Sequence, residues 1–195
     1  MSIVKSLFLF LVLILSSNQA LSLSCGSSLR TADLSPATNC ITGLGNPSIS
    51  AINALFDTPP SWQRVSSVED NTSGGSDGWF GVSLDPNSNW GQSNVSGEWS
   101  LDSAFWDAYN EGVISMRVGN GGGDPDFFAW KLSDGASTGS FSYERLAGGG
   151  GGLSNLKLWG RVTEVIRIEE PANIALFIIG LFGLFASRRF SQTHP

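Results

Sequence analysis

Through the middle of this chain, apolar residues recur at every second position. Phe80, Val82 and Leu84 alternate with Trp79, Gly81 and Ser83, and Ile114, Met116 and Val118 with Val113, Ser115 and Arg117. Phe128, Trp130 and Leu132 oppose Phe127, Ala129 and Lys131, while Phe141 and Tyr143 oppose Ser140, Ser142 and Glu144. The longest run places Leu156, Leu158, Val162, Ile166 and Ile168 on one face, and Asn155, Lys157, Arg161, Thr163 and Arg167 on the other. Side chains of a strand point alternately to opposite faces, so a period of two predicts strands. One apolar and one polar face per strand is the antiparallel pattern. Clusters of Asn, Asp, Ser and Gly at 70–75, 85–89, 119–125 and 148–152 separate the runs as turns. The expectation is an all-β, antiparallel β-sandwich of jelly-roll-like form. One short helix is expected between Leu101 and Tyr109, capped by Asp102 or Ser103. Trp99 and Trp130 fall at inward strand positions and are expected in the core.

The two ends read differently. Lys5 precedes nine apolar residues, Leu7 to Leu15, followed by small and polar residues around Ala20, Ser22 and Ser24. A charged start, a short apolar helix and a small-residue zone predict a secretory signal peptide over residues 1–22, with cleavage after Ala20 and after Ser22 both compatible. Near the other end, an apolar helix over 174–186 follows Glu170-Pro171-Ala172 and precedes Arg188-Arg189. Such a helix engages a membrane. At ~1.5 Å per residue it spans only about 20 Å, short of the ~20 residues a stable crossing needs. The basic pair is expected on the cytoplasmic side, leaving residues 23–168 as the exported domain.

Glu170-Pro171-Ala172, an apolar helix interrupted by Gly180 and Gly183, and Arg188-Arg189 resemble the PEP-CTERM sorting signal. Glu170 and Pro171 match the last two motif residues, Arg188 and Arg189 match the basic cluster, and Glu169 stands where that signal has its first proline. The resemblance covers 169–190. It implies a Gram-negative host, recognition by exosortase (a membrane cysteine protease), membrane attachment before processing, and delivery to the cell envelope or exopolysaccharide matrix. A weaker likeness to mature domains of that family runs through Gly97-Glu98-Trp99-Ser100, Trp106, Tyr109, Phe128-Ala129-Trp130 and Leu153 to Gly160, and implies no activity.

All seventeen acidic residues lie between residues 23 and 170, against eight basic ones (eleven less Lys5, Arg188 and Arg189), a formal charge of −9. That balance argues against nucleic acid and against docking on anionic lipid. Two cysteines in an exported chain, Cys25 and Cys40, are expected to form a disulfide. The single histidine, His194, follows the basic pair, so the exported part offers no histidine for a triad or zinc site. A bridged cysteine pair likewise removes the thiol nucleophile.

Three further readings compete. Glu98, Asp102, Asp107 and Glu111 are the carboxylates to inspect for glycosidase chemistry. Asp85, Asn87 and Asn89 begin a calcium loop whose glycine comes one place late, and Asp124 with Asp126 form a second partial pattern; an Asn/Asp-rich turn accounts for both, and no cofactor is expected. Trp79, Trp90 and Trp159 lie off the apolar faces and are candidates for stacking on sugar rings, unless a further layer covers them. The leading expectation is a non-enzymatic, exosortase-sorted protein with a structural or glycan-binding role. The alternatives are a secreted carbohydrate-active enzyme and an unprocessed domain tethered to the inner membrane.

Overall fold

The computed structural model describes residues 21–56, 61–69, 74–119 and 123–163. The chain divides into two units at Thr163/Glu164, and all described residues belong to the first. The signal peptide, Glu170-Pro171-Ala172, the apolar run 174–186 and Arg188-Arg189 lie outside the described residues. Among those described, no helix is long and apolar enough to cross a membrane.

Two antiparallel sheets face one another across a shared core. The six-stranded sheet has the order β1-β2-β10-β7-β6-β5 and the five-stranded sheet β3-β9-β8-β11-β4. The strands are β1 Leu23–Gly26, β2 Arg30–Ser35, β3 Ala37–Gly43, β4 Gln63–Glu69, β5 Gly74–Asp77 and β6 Phe80–Leu84. They continue with β7 Asn94–Leu101, β8 Glu111–Val118, β9 Phe127–Leu132, β10 Thr138–Arg145 and β11 Leu153–Arg161. The all-β sandwich expected from the alternation is the fold.

The inward set is the one the alternation marks. Phe80, Val82, Trp99, Phe141 and Tyr143 from one sheet meet Ile114, Met116, Phe128, Trp130, Leu156 and Leu158 from the other in a single buried cluster. The indoles of Trp99 and Trp130 resolve their one polar group locally: each N–H donates to a backbone carbonyl, of Ser35 (3.1 Å) and Leu23 (2.9 Å). Cys25 on β1 and Cys40 on β3 are joined, with Cα atoms 6.0 Å apart. These strands are the terminal members of opposite sheets, so the disulfide pins the two sheets at one edge.

Two helices accompany the sheets. α1, Ile49–Leu55, begins at Ser48, whose side chain accepts from the Ala51 N–H at 3.2 Å. α2, Ala104–Ala108, is the helical turn expected after Leu101. Its Asp102 carboxylate, not Ser103, accepts from the first-turn N–H of Ala104 at 2.8 Å. Sequence patterning did not single out α1, and α1 changes the second sheet. Ile52, with Ala51, Leu55 and Phe56, packs with Trp62 onto Val113, Phe127, Ala129 and Trp159. The Phe56 and Trp62 rings meet edge-on at 5.9 Å, and Asn53 accepts from the Trp62 N–H at 2.8 Å. The outer face of β8, β9 and β11 is therefore not the wet face expected of it. It is half roofed by a third layer. β11 also ends at Arg161, and Val162, expected on the inward face, is 58% exposed.

Candidate functional site

The third layer corrects the aromatic assignment. Trp159 is 1% exposed beneath α1 and Trp62, and its indole N–H donates to Ser115 Oγ at 2.8 Å. Trp90, expected in a polar turn, is 7% exposed and belongs to the main core. The Gly91 N–H donates to the Leu153 carbonyl at 2.7 Å, folding its turn against Gly152, where a Cβ would collide with the Gly91 backbone. Neither ring offers a face to a sugar. Trp79 is half-buried, held edge-on by Phe105 at 6.3 Å and Tyr109 at 5.8 Å. The three indoles form no common platform.

The four carboxylates expected as a cluster are also dispersed. Glu98 points outward from the six-stranded sheet. Glu111 points outward from the five-stranded sheet, where Lys131 Nζ meets it at 2.6 Å and Arg161 binds its other oxygen. Burial raises the Glu111 pKa, but the Lys131 and Arg161 hydrogen bonds outweigh it and hold the carboxyl below its ordinary 4.5. Asp102 caps α2, and Asp107 is exposed on that helix.

What the register does assemble is a polar field on the outer face of the six-stranded sheet. Ser35, Ser140, Glu98 and Ser83 lie in one row across β2, β10, β7 and β6. Asp33, Ser142 and Ser96 form the adjacent row. Two open hollows share Glu98 and Ser140. One, of about 700 Å³, runs from Ser35 and Pro36 over Gly139 and Trp99 to Gly81. The other, of about 450 Å³, has Asp33, Asp85 and Glu98 in its lining, spaced among serines. Gly139 is required at the floor of the first, since a Cβ there would strike the Ser35 carbonyl and the Trp99 ring. Asp33 Oδ2 accepts from Ser142 at 3.1 Å, and Asp85 Oδ2 from Ser96 at 2.6 Å. The outward positions of these strands carry no lysine or arginine.

The residues of the two calcium-like patterns take part in turn and loop contacts. Asp85 engages Ser96, Asn87 adopts a left-handed φ of 74°, and the Asn89 N–H donates to Gln92 at 3.0 Å. Asp126 accepts from the Gly45 N–H at 2.7 Å and lies 3.8 Å from Arg30, while the Asp124 carbonyl accepts from Ser27 at 2.7 Å. Among the described residues, no group of three or more His, Cys, Asp or Glu side chains is placed to hold a metal ion.

Sequence reasoning missed a second groove, on the outer face of the five-stranded sheet beside α1. It measures about 690 Å³ and gathers Arg64, Arg117 and Lys157 with Asn155. The three cations sit on β4, β8 and β11, adjacent strands with matching outward registers. The available signal was Arg117 and Lys157 at outward positions; that Arg64 joins them depends on the β4 pairing.

No protein-family model, curated protein or solved structure matches this chain.

Proposed function

We propose that this is an exported, non-enzymatic glycan-binding or structural domain, addressed by its PEP-CTERM-like tail to an exosortase-type protease and retained at the envelope or in the exopolysaccharide matrix. The observation that carries the binding part is the hydroxyl-and-carboxylate field around Ser35, Ser83, Glu98, Ser100 and Ser140. Short side chains on a rigid sheet present donors and acceptors at fixed spacing, which suits a polyhydroxylated chain. They lose little conformational entropy on binding. The cross-sheet disulfide agrees with an oxidising compartment.

The test has two arms. Intact mass in hosts with and without exosortase reports on the address: loss of the segment beyond roughly residue 171 only when the protease is present is expected, and retention of Arg188-Arg189 in both hosts overturns it. Retention of the full chain on the host's own exopolysaccharide reports on binding. Ser140→Ala combined with Glu98→Gln is expected to abolish retention without changing the melting temperature; no wild-type retention would leave the structural role alone.

One observation favours the enzymatic alternative. Asp85 is hydrogen-bonded to Ser96, two residues along β7 from Glu98, and both carboxylates line one hollow. Inverting glycosidases space their carboxylates ~6.5–9.5 Å apart. Release of reducing ends from the exopolysaccharide, lost in Glu98→Gln, would establish the enzyme in place of the binder.

A further inference from the structure

The groove beside α1, on the outer face of the five-stranded sheet, has in its lining a buried polar group with no partner. Asn155 stands on β11 between Glu69 of β4 and Arg117 of β8, and it is 6% exposed. Its Oδ1 is buried and accepts no hydrogen bond. Trp159, further along the same face of β11, shows the usual solution: its indole N–H donates to Ser115 Oγ at 2.8 Å. A buried carboxamide oxygen without a donor is destabilising, whereas leucine, of similar branched shape, would leave nothing unpaired. Asn155 therefore costs stability where it stands. What would pair its oxygen is a donor. A carboxylate or sulfate brings acceptors only and cannot serve; a hydroxyl can. Around it, Asn46 and Gln63 are exposed carboxamides at the rim, and Ile49 gives one wall an apolar edge.

We infer that this groove binds a neutral saccharide unit through a hydroxyl that donates to Asn155 Oδ1, with Gln63 and Asn46 meeting further hydroxyls at the rim. The terminal torsion of a carboxamide is broad, so rotation about χ2 turns either Oδ1 or Nδ2 toward the groove. A sugar hydroxyl both donates and accepts, which suits a carboxamide that offers one acceptor and two donors on a single planar group. The non-polar edge of the sugar ring lies against Ile49. Asn155 is held by a central strand of the sheet, paired on both sides, so the acceptor is presented on a rigid floor. The inference rests on the glycan-binding reading and deepens it: the six-stranded face meets one stretch of the glycan, and this groove is a second contact on the opposite sheet.

The test titrates the purified full chain with neutral cello-oligosaccharide, alone and in millimolar sulfate, and records melting temperatures beside the affinities. Asn155→Leu is expected to weaken binding about tenfold while keeping or raising the melting temperature, a combination that a merely structural asparagine would not give. Gln63→Ala, at an exposed position on the rim, is expected to weaken binding by a smaller factor and carries the test should Asn155→Leu not fold. Sulfate is expected not to compete. Binding indifferent to both substitutions overturns the inference, as does a lower melting temperature in Asn155→Leu with unchanged affinity. Displacement by sulfate would show an anion site and overturn it too. If binding survives Asn155→Leu and Gln63→Ala but is lost in Glu98→Gln, the groove inference alone has failed. Absence of cello-oligosaccharide binding also overturns it; the reading of the six-stranded face then stands only if the host's own exopolysaccharide is still retained.

Discussion

The two sheets of this sandwich use the same inward alternation and treat their outer faces in opposite ways. The six-stranded sheet leaves its outer face open, small-sided and acidic, with Asp33, Asp85 and Glu98 among serines. The five-stranded sheet buries Val113, Phe127, Ala129 and Trp159 under α1 and Trp62 and concentrates its cations in what is left uncovered. The difference teaches how a period-two pattern should be read. Alternation identifies a strand and its inner face; the outer face is wet only if nothing else in the chain folds across it.

The comparison breaks most readily at the buried indoles. Trp159→Ala is expected to cost ~3–5 kcal/mol, the same as Trp99→Ala in the shared core, because both leave a large cavity. Urea unfolding measures it; a loss for Trp159→Ala below about 1 kcal/mol would mean that the α1 layer contributes no real core. Next comes the clamp at the shared edge. Cys25→Ser with Cys40→Ser should lower stability by about 3 kcal/mol, the loop-closure value for a bridge of this span, and thiol titration of the native protein should find no free cysteine.

Smaller again is the ion cluster of the roofed sheet. Glu111→Gln is expected to cost about 2–3 kcal/mol, less than the ~3–5 of a fully buried pair, because Lys131 stays partly solvated. Since the folded pKa of Glu111 lies below 4.5, the unfolded chain takes up the proton first as pH falls. The cluster's contribution is therefore present above that pH and is lost as the solution is acidified through the folded value. Chemical denaturation across pH 3–7 should show a shallower acid limb in Glu111→Gln. The smallest effect belongs to the open sheet: Ser140→Ala or Ser83→Ala should change stability by no more than about ±0.5 kcal/mol. A larger loss would show that this face too is covered.

Much of the architecture was legible in the residues. Ile114, Met116, Phe128, Trp130, Phe141 and Tyr143 all point inward as their spacing predicts, and Cys25 pairs with Cys40. α1 escaped notice because Ile49–Leu55 is short and contains one fully buried residue, Ile52, too little to register as a helical stripe. Trp90 and Trp159 were misplaced for a related reason. Local polarity describes a residue's neighbours in sequence, whereas burial is decided by what packs on it from elsewhere.

The sequence alone therefore determined the strand class, the inner faces of the strands around the shared core and the disulfide partners. Each follows from interactions between near neighbours or from having only two cysteines to pair. Tertiary structure decided which outer face is roofed, which carboxylates meet, and that Arg64, Arg117 and Lys157 share a groove. Those outcomes depend on strand order and register between β4, β8 and β11, segments separated by dozens of residues. No periodicity within a single strand encodes which strand will lie beside it.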